Sequence, residues 1–128
     1  MISPKRFCKS LKFAFRGIGQ VIKREHSFRI QILAAIVVLA IIFIFPLEVW
    51  EQIVLILLIG AVLVLEVINS IFERLSDGLK PRLNELVKDV KDMMAGAVLI
   101  TALVAAIIAS MILWPYLATY LQEFGLFQ

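Results

Sequence analysis

The sequence predicts an all-α integral membrane protein in which three transmembrane helices follow an amphipathic helix lying in the membrane interface. Two observations carry that expectation. At 128 residues the chain is 62% hydrophobic and only 18% charged, with a positive mean hydropathy, which is too apolar for a soluble domain of its length. Its 13 Lys and Arg residues are confined to two places, before the first apolar run and between the second and third. The turn around residues 46–52 and the tail after Trp114 carry only Glu48, Glu51 and Glu123 as charges. Lys and Arg mark the cytoplasmic side of a membrane protein. The amino terminus and the 74–91 segment are therefore expected in the cytoplasm and the carboxyl terminus outside, an arrangement that needs an odd number of spans.

Each element follows in order, within a single domain covering residues 1–128. Ser3 and Pro4 suit a helix start, serine at the cap and proline in the first turn, where its missing N–H does no harm. Over residues 4–24, Phe7, Leu11, Phe15, Ile18 and Ile22 share one side of a helix while Lys5, Lys9, Lys12, Arg16 and Lys23 spread over the other. That pattern predicts a helix in the interface, basic face toward anionic head groups. It is not the continuous apolar core of a secretory signal peptide. Gly17 and Gly19 weaken this helix and allow it to bend.

The first span is expected over 28–46, with Gln31 its only polar residue deep in the run and Pro46 ending it. Because 16 to 18 residues at about 1.5 Å each barely cover a hydrocarbon core of roughly 30 Å, the 25–29 segment is expected to continue the helix toward the cytoplasm. Trp50 suits an interfacial anchor on the outer side. A second span over 50–76 descends to the cytoplasmic side, where Gly78 and Lys80-Pro81 stop it. The third span is expected over 90–117, with Asp89 and Asp92 near its first turn and alanines at three- and four-residue spacing forming a close-packing face. Neither the lone Cys8 nor the lone His26 has partners at metal-ligand spacing, and the tail from Thr119 carries no signal.

The chemistry is concentrated in residues 65–77. Glu66 follows the apolar run 53–65, and an isolated charge deep in a bilayer costs roughly 3 kcal/mol on insertion scales, so such residues are rare and usually carry a task. On a helix, Glu66, Asn69, Ser70, Glu73 and Asp77 stand on one stripe. Glu25 from the first span and Lys91-Asp92 from the third are placed at the same membrane face by the topology. Carboxylates with oxygen-bearing partners, and no histidine or cysteine pairs, favour a hard cation such as Mg2+. Held near Lys and Arg, such a cation suits polyphosphate binding and phosphoryl transfer. The usual soluble nucleotide signatures are missing. The blander readings are a buried Glu66–Asn69 pair that fixes helix association, and a solvated helix end for Glu73, Arg74 and Asp77.

The order Glu25, Phe28-Arg29, then Glu66-x-x-Asn69-Ser70-x-x-Glu73-x-x-x-Asp77, then Lys91-Asp92 followed by Met93-Met94-Ala95-Gly96-Ala97 resembles the small prokaryotic diacylglycerol kinase family, which includes undecaprenol kinases. The likeness extends over nearly the whole chain to Trp114. It departs at Ile71-Phe72, where the family usually has Ala-Ile, a change that bears on packing more than on chemistry. The resemblance implies a homotrimer in the bacterial cytoplasmic (inner) membrane that phosphorylates a lipid hydroxyl, diacylglycerol or undecaprenol, with ATP and Mg2+. It further implies that Glu66 is the general base, with Asn69 and Ser70 beside it at the lipid substrate. On the same resemblance Glu25 and Glu73 are expected to hold the metal, and Arg6, Lys9, Glu25, Glu73, Asp77, Lys91 and Asp92 to face the nucleotide. No nucleic-acid partner is expected. Two rival readings of the residues are a proton-coupled transporter using Glu66 as its carrier carboxylate, and a non-catalytic scaffold; the first needs a polar path to the outer face, which the apolar runs do not offer.

Overall fold

A computed structural model describes residues 4–79 and 84–124, and those residues are all-helical, in four helices. Helix α1 runs Pro4–Arg24, α2 His26–Ile44, α3 Val49–Leu79 and α4 Asn84–Glu123. The last three are long and apolar enough to cross a membrane. The proposed cap Ser3 and the proposed stop Lys80-Pro81 lie outside the described residues, whereas Pro4 does open α1.

Breaks between helices have local causes. Glu25 is extended (φ −96°, ψ 115°) and separates α1 from α2, although its N–H still donates to the Val21 carbonyl at 2.8 Å. The cytoplasmic extension expected over 25–29 therefore begins at His26, and α1 is unbroken through Gly17 and Gly19. At the other end Phe45 is extended (φ −96°, ψ 146°), as the residue before proline must be, and the chain turns through Pro46, Leu47 and Glu48 into α3.

The third apolar helix is longer at both ends than its apolar stretch. It starts at Asn84, so Glu85 is the acidic residue of its first turn, and Asp89 and Asp92 lie one and two turns further in. It also continues past Pro115 through Thr119 to Glu123. Pro115 cannot donate to the carbonyl one turn back, and the Thr119 Oγ1 hydroxyl donates to the Pro115 carbonyl at 2.9 Å.

Packing is concentrated at the end of the bundle remote from α1. There Ile42, Leu47, Leu55, Ile112 and Leu113 form one buried cluster, extended by Phe45 against Tyr116 and Tyr120. Glu51 belongs to the same end. Sequence placed it on an exposed turn, but it is only 9% exposed. Its carboxylate accepts the Glu48 N–H at 2.8 Å and the Tyr116 hydroxyl, tying the α2–α3 turn to α4. Trp50 is more than half exposed and donates its indole N–H to Glu48. Outward faces of the spans carry large apolar side chains such as Phe43, Leu57, Ile100 and Met111, the surface a lipid solvent calls for.

Candidate functional site

At the opposite end, α3 carries its polar residues against α2 and α4. Glu66 is 4% exposed and Ser70 1% exposed, so the stripe seen in sequence faces the bundle. Two residues four apart on α3 share a face, and that face meets α2 at Gln31. The Gln31 amide Nε2–H donates to Glu66 Oε2 at 3.2 Å. Carboxylates of Glu25 and Glu73 lie near enough to act on Glu66 electrostatically. Glu73 in turn meets α4, where Lys91 Nζ lies 3.6 Å from its Oε1. Sequence separations of up to 66 residues are thus closed into one cluster built from the α1–α2 break and from α2, α3 and α4.

Several polar atoms in and around the cluster are out of solvent and have no hydrogen-bond partner in the chain: Gln31 Oε1, Asn69 Oδ1, Ser70 Oγ, and Nε and Nη2 of Arg74. The remaining guanidinium nitrogen, Arg74 Nη1, donates to Gln20 Oε1 of α1 at 3.3 Å. Buried polar groups are nearly always paired. These atoms, on facing parts of α2 and α3, call for partners from outside the chain, such as water, an ion or a ligand.

Not every residue proposed from sequence is gathered by this chain. Asp92 is exposed on α4, next to Lys91 in sequence but about 100° round the helix, whereas Asp77, although exposed on α3, does interact within the chain. Arg6 and Lys9 are exposed on α1, with Lys9 Nζ 5.9 Å from the centre of the Phe13 ring. Among the described residues no ion pair or hydrogen bond joins Arg6, Lys9 or Asp92 to Glu66 or Glu73. Nor is there among them a group of three or more His, Cys, Asp or Glu side chains arranged to hold a metal ion. This does not conflict with a magnesium role, because Mg2+ at phosphate sites is usually held by one or two carboxylates, with phosphate oxygens and water completing its shell. Glu25 and Glu73, both near enough to act on Glu66, are carboxylates of the kind that donor set uses.

Sequence reasoning missed Gln31, Gln20 and Arg74 as participants. Gln31 was visible as the one polar residue of its run; its partner, 35 positions away, was not.

A bundle of three membrane-length helices that gathers a buried glutamate, two half-buried ones and a lysine at one end has the layout of an integral membrane enzyme. Residues 12–113 match the family model for prokaryotic diacylglycerol kinase, and the chain belongs to that family. It is 36% identical over 112 residues to the undecaprenol kinase of Bacillus subtilis, covering 88% of this chain and 91% of that one. Two diacylglycerol kinases are also similar. That of Synechocystis is 31% identical over 83% of this chain and 61% of its own length, and that of Escherichia coli K12 27% identical over 87% and 91% respectively.

Proposed function

We propose that this protein transfers the γ-phosphoryl group of Mg-ATP to the primary hydroxyl of a membrane lipid alcohol, diacylglycerol or undecaprenol, at the cytoplasmic face of the bacterial inner membrane. The observation that carries this is Glu66, a carboxylate buried between apolar helices, hydrogen-bonded to Gln31 and flanked by Glu25, Glu73 and, through Glu73, Lys91. Its depth, just inside the apolar zone, is where a lipid head-group hydroxyl rests. In the transfer, Glu66 takes the hydroxyl proton while the oxygen attacks the γ-phosphorus; the bond to the β–γ bridging oxygen breaks, and ADP leaves with that electron pair. Glu25 and Glu73 would hold Mg2+, which neutralises charge on the phosphate oxygens. Lys91 supplies a cation to the same oxygens once Glu73 turns to the metal. Asn69 and Ser70 line the lipid side, and Arg6, Lys9, Asp77 and Asp92 the nucleotide side.

Two further features belong to this reading. Helix α1 lies in the interface, its basic face toward head groups and nucleotide, with the amino terminus inside and the carboxyl terminus outside, as the Lys and Arg distribution requires. The working form is a homotrimer, as the resemblance implies: one chain buries Glu66 and Ser70 by itself but leaves Arg6, Lys9 and Asp92 apart from them, and a second copy supplies those α1 and α4 residues. The test is Glu66→Gln in purified protein with radiolabelled ATP and a lipid alcohol. Phosphorylation should fall by about 10²-fold or more, the usual size of a general-base contribution, with the oligomer intact by size and cross-linking. Unchanged turnover would refute the assignment.

A further inference from the structure

Arg74 is a cation whose needs the chain meets only in part. Its Nη1 donates to Gln20 Oε1 of α1 at 3.3 Å, while Nε and Nη2 are out of solvent and have no hydrogen-bond partner. Those two nitrogens belong together chemically. In a planar guanidinium the N–H of Nε and one N–H of Nη2 run parallel along one edge, the fork that receives two oxygens of a single carboxylate or phosphate. Gln20 is neutral, so it fixes the plane of the group without cancelling its charge.

The surroundings say what kind of group completes it. Donors of a cation held out of water without an acceptor are costly, so an anion is called for. Helix α1 offers none: there is no Asp or Glu among its 21 residues. Instead Arg16, Lys23 and Arg24 stand three or four positions from Gln20, on the same face. Glu25, the first acid beyond α1, acts on Glu66, and among the described residues no ion pair or hydrogen bond joins it to Arg74. On α3 the adjacent carboxylate, Glu73, stands about 100° away round the helix, toward Lys91 of α4. A fork set beside so many cations suits a ligand with several negative charges, a phosphate rather than a lone carboxylate. Arg74 is eight residues past Glu66, about 12 Å along the helix axis toward the cytoplasm. A chain of phosphates running from Glu66 toward water therefore passes between Lys91 on the α4 side and Arg74 on the α1 side.

Resting on the lipid-kinase reading above, we infer that Arg74 is a further nucleotide-binding residue, whose Nε–Nη2 edge takes two oxygens of the diphosphate that the reaction leaves on the nucleotide. Gln20 positions the guanidinium from α1. Lys91 and Arg74 then hold the phosphate chain from opposite sides of α3, one as a point charge and the other as a planar fork. Bond making and breaking are those of the phosphoryl transfer already described; Arg74 takes no proton and stabilises the group that departs.

The experiment measures Mg-ADP binding to the purified protein in a nonionic detergent, alongside KM for ATP and for the lipid alcohol. Arg74→Gln should weaken Mg-ADP binding by about tenfold or more, the worth of a charge-assisted contact, and raise KM for ATP in step. KM for the lipid alcohol should stay within about twofold of the parent's, a split that a merely structural arginine would not produce. Arg74→Lys keeps the charge and loses the fork, so it should recover only part of the loss; it also carries the comparison should the glutamine form not assemble. Equal affinity of the parent and the variants for Mg-ADP overturns the inference while leaving the kinase reading standing. So does a defect seen only in vesicles containing an anionic phospholipid, which would assign the phosphate to a lipid head group. Mg-ADP binding that depends on Arg74, in a protein that phosphorylates neither diacylglycerol nor undecaprenol, would keep the site and bring down the kinase reading itself.

Discussion

Lys91→Gln separates what the Glu73–Lys91 pair does for the fold from what it does for the reaction. The charges are 3.6 Å apart on side chains 31% and 40% exposed. At that distance the bare attraction is about 1 kcal/mol in water and about 5 kcal/mol at an effective dielectric near 20. Solvent screening and the ordering of two long side chains remove most of it, and pairs this exposed contribute about 0–1 kcal/mol net. Glutamine keeps the length and removes the charge, so the protein should unfold in detergent within a few degrees of the parent. Its dependence on salt should flatten, since added salt screens an exposed pair. A cation on phosphate oxygens is a charge-assisted contact worth about 1.5–3 kcal/mol. Turnover should therefore fall by about tenfold or more, with KM for ATP raised. Both readouts come from one preparation, thermal unfolding alongside ATP-dependent lipid phosphorylation. Turnover within twofold of the parent, or a stability loss as large as that of Leu55→Ala, which empties a fully buried site, would refute the reasoning.

Other outcomes are expected elsewhere in the molecule. Tyr116→Phe removes one of two donors to the buried Glu51 carboxylate; it should lower the unfolding temperature yet leave KM for ATP and lipid unchanged, because it lies at the far end of the bundle from Glu66. Ser70→Ala deletes a buried hydroxyl that has no partner, and should be neutral or stabilise the fold by up to about 1 kcal/mol while raising KM for the lipid alcohol. A clear loss of stability in thermal unfolding would mean that the hydroxyl is satisfied in the working protein.

The three spans were legible because twenty or so apolar residues in a row have few other uses, and the α3 stripe because helical spacing alone puts residues 66, 69, 70 and 73 together. Helix ends were less legible. Nothing in the mostly polar segment 84–89 distinguishes a loop from the start of a helix whose apolar part comes later, and α4 in fact begins at Asn84. Glu51 looked like an exposed turn residue because its principal side-chain donor, Tyr116, is 65 residues away. The same limit hid Gln31 and the Gln20–Arg74 contact. Periodicity reports which face a side chain takes on its own helix; which residue of another helix stands opposite is decided by packing.

The unequal lengths of the spans have a mechanical consequence. Helix α2, with 19 residues, is about 28 Å long, whereas α4, with 40, is about 60 Å. The long rod can lean or protrude into water; the short one has no slack against a hydrocarbon slab of roughly 30 Å. A thicker bilayer must pinch in around α2 or drag its ends inward, at a fraction of a kcal/mol for each ångström. Gln31 rides on that short strut and holds Glu66, so the host membrane acts as a ruler that sets how far below the head groups that carboxylate lies.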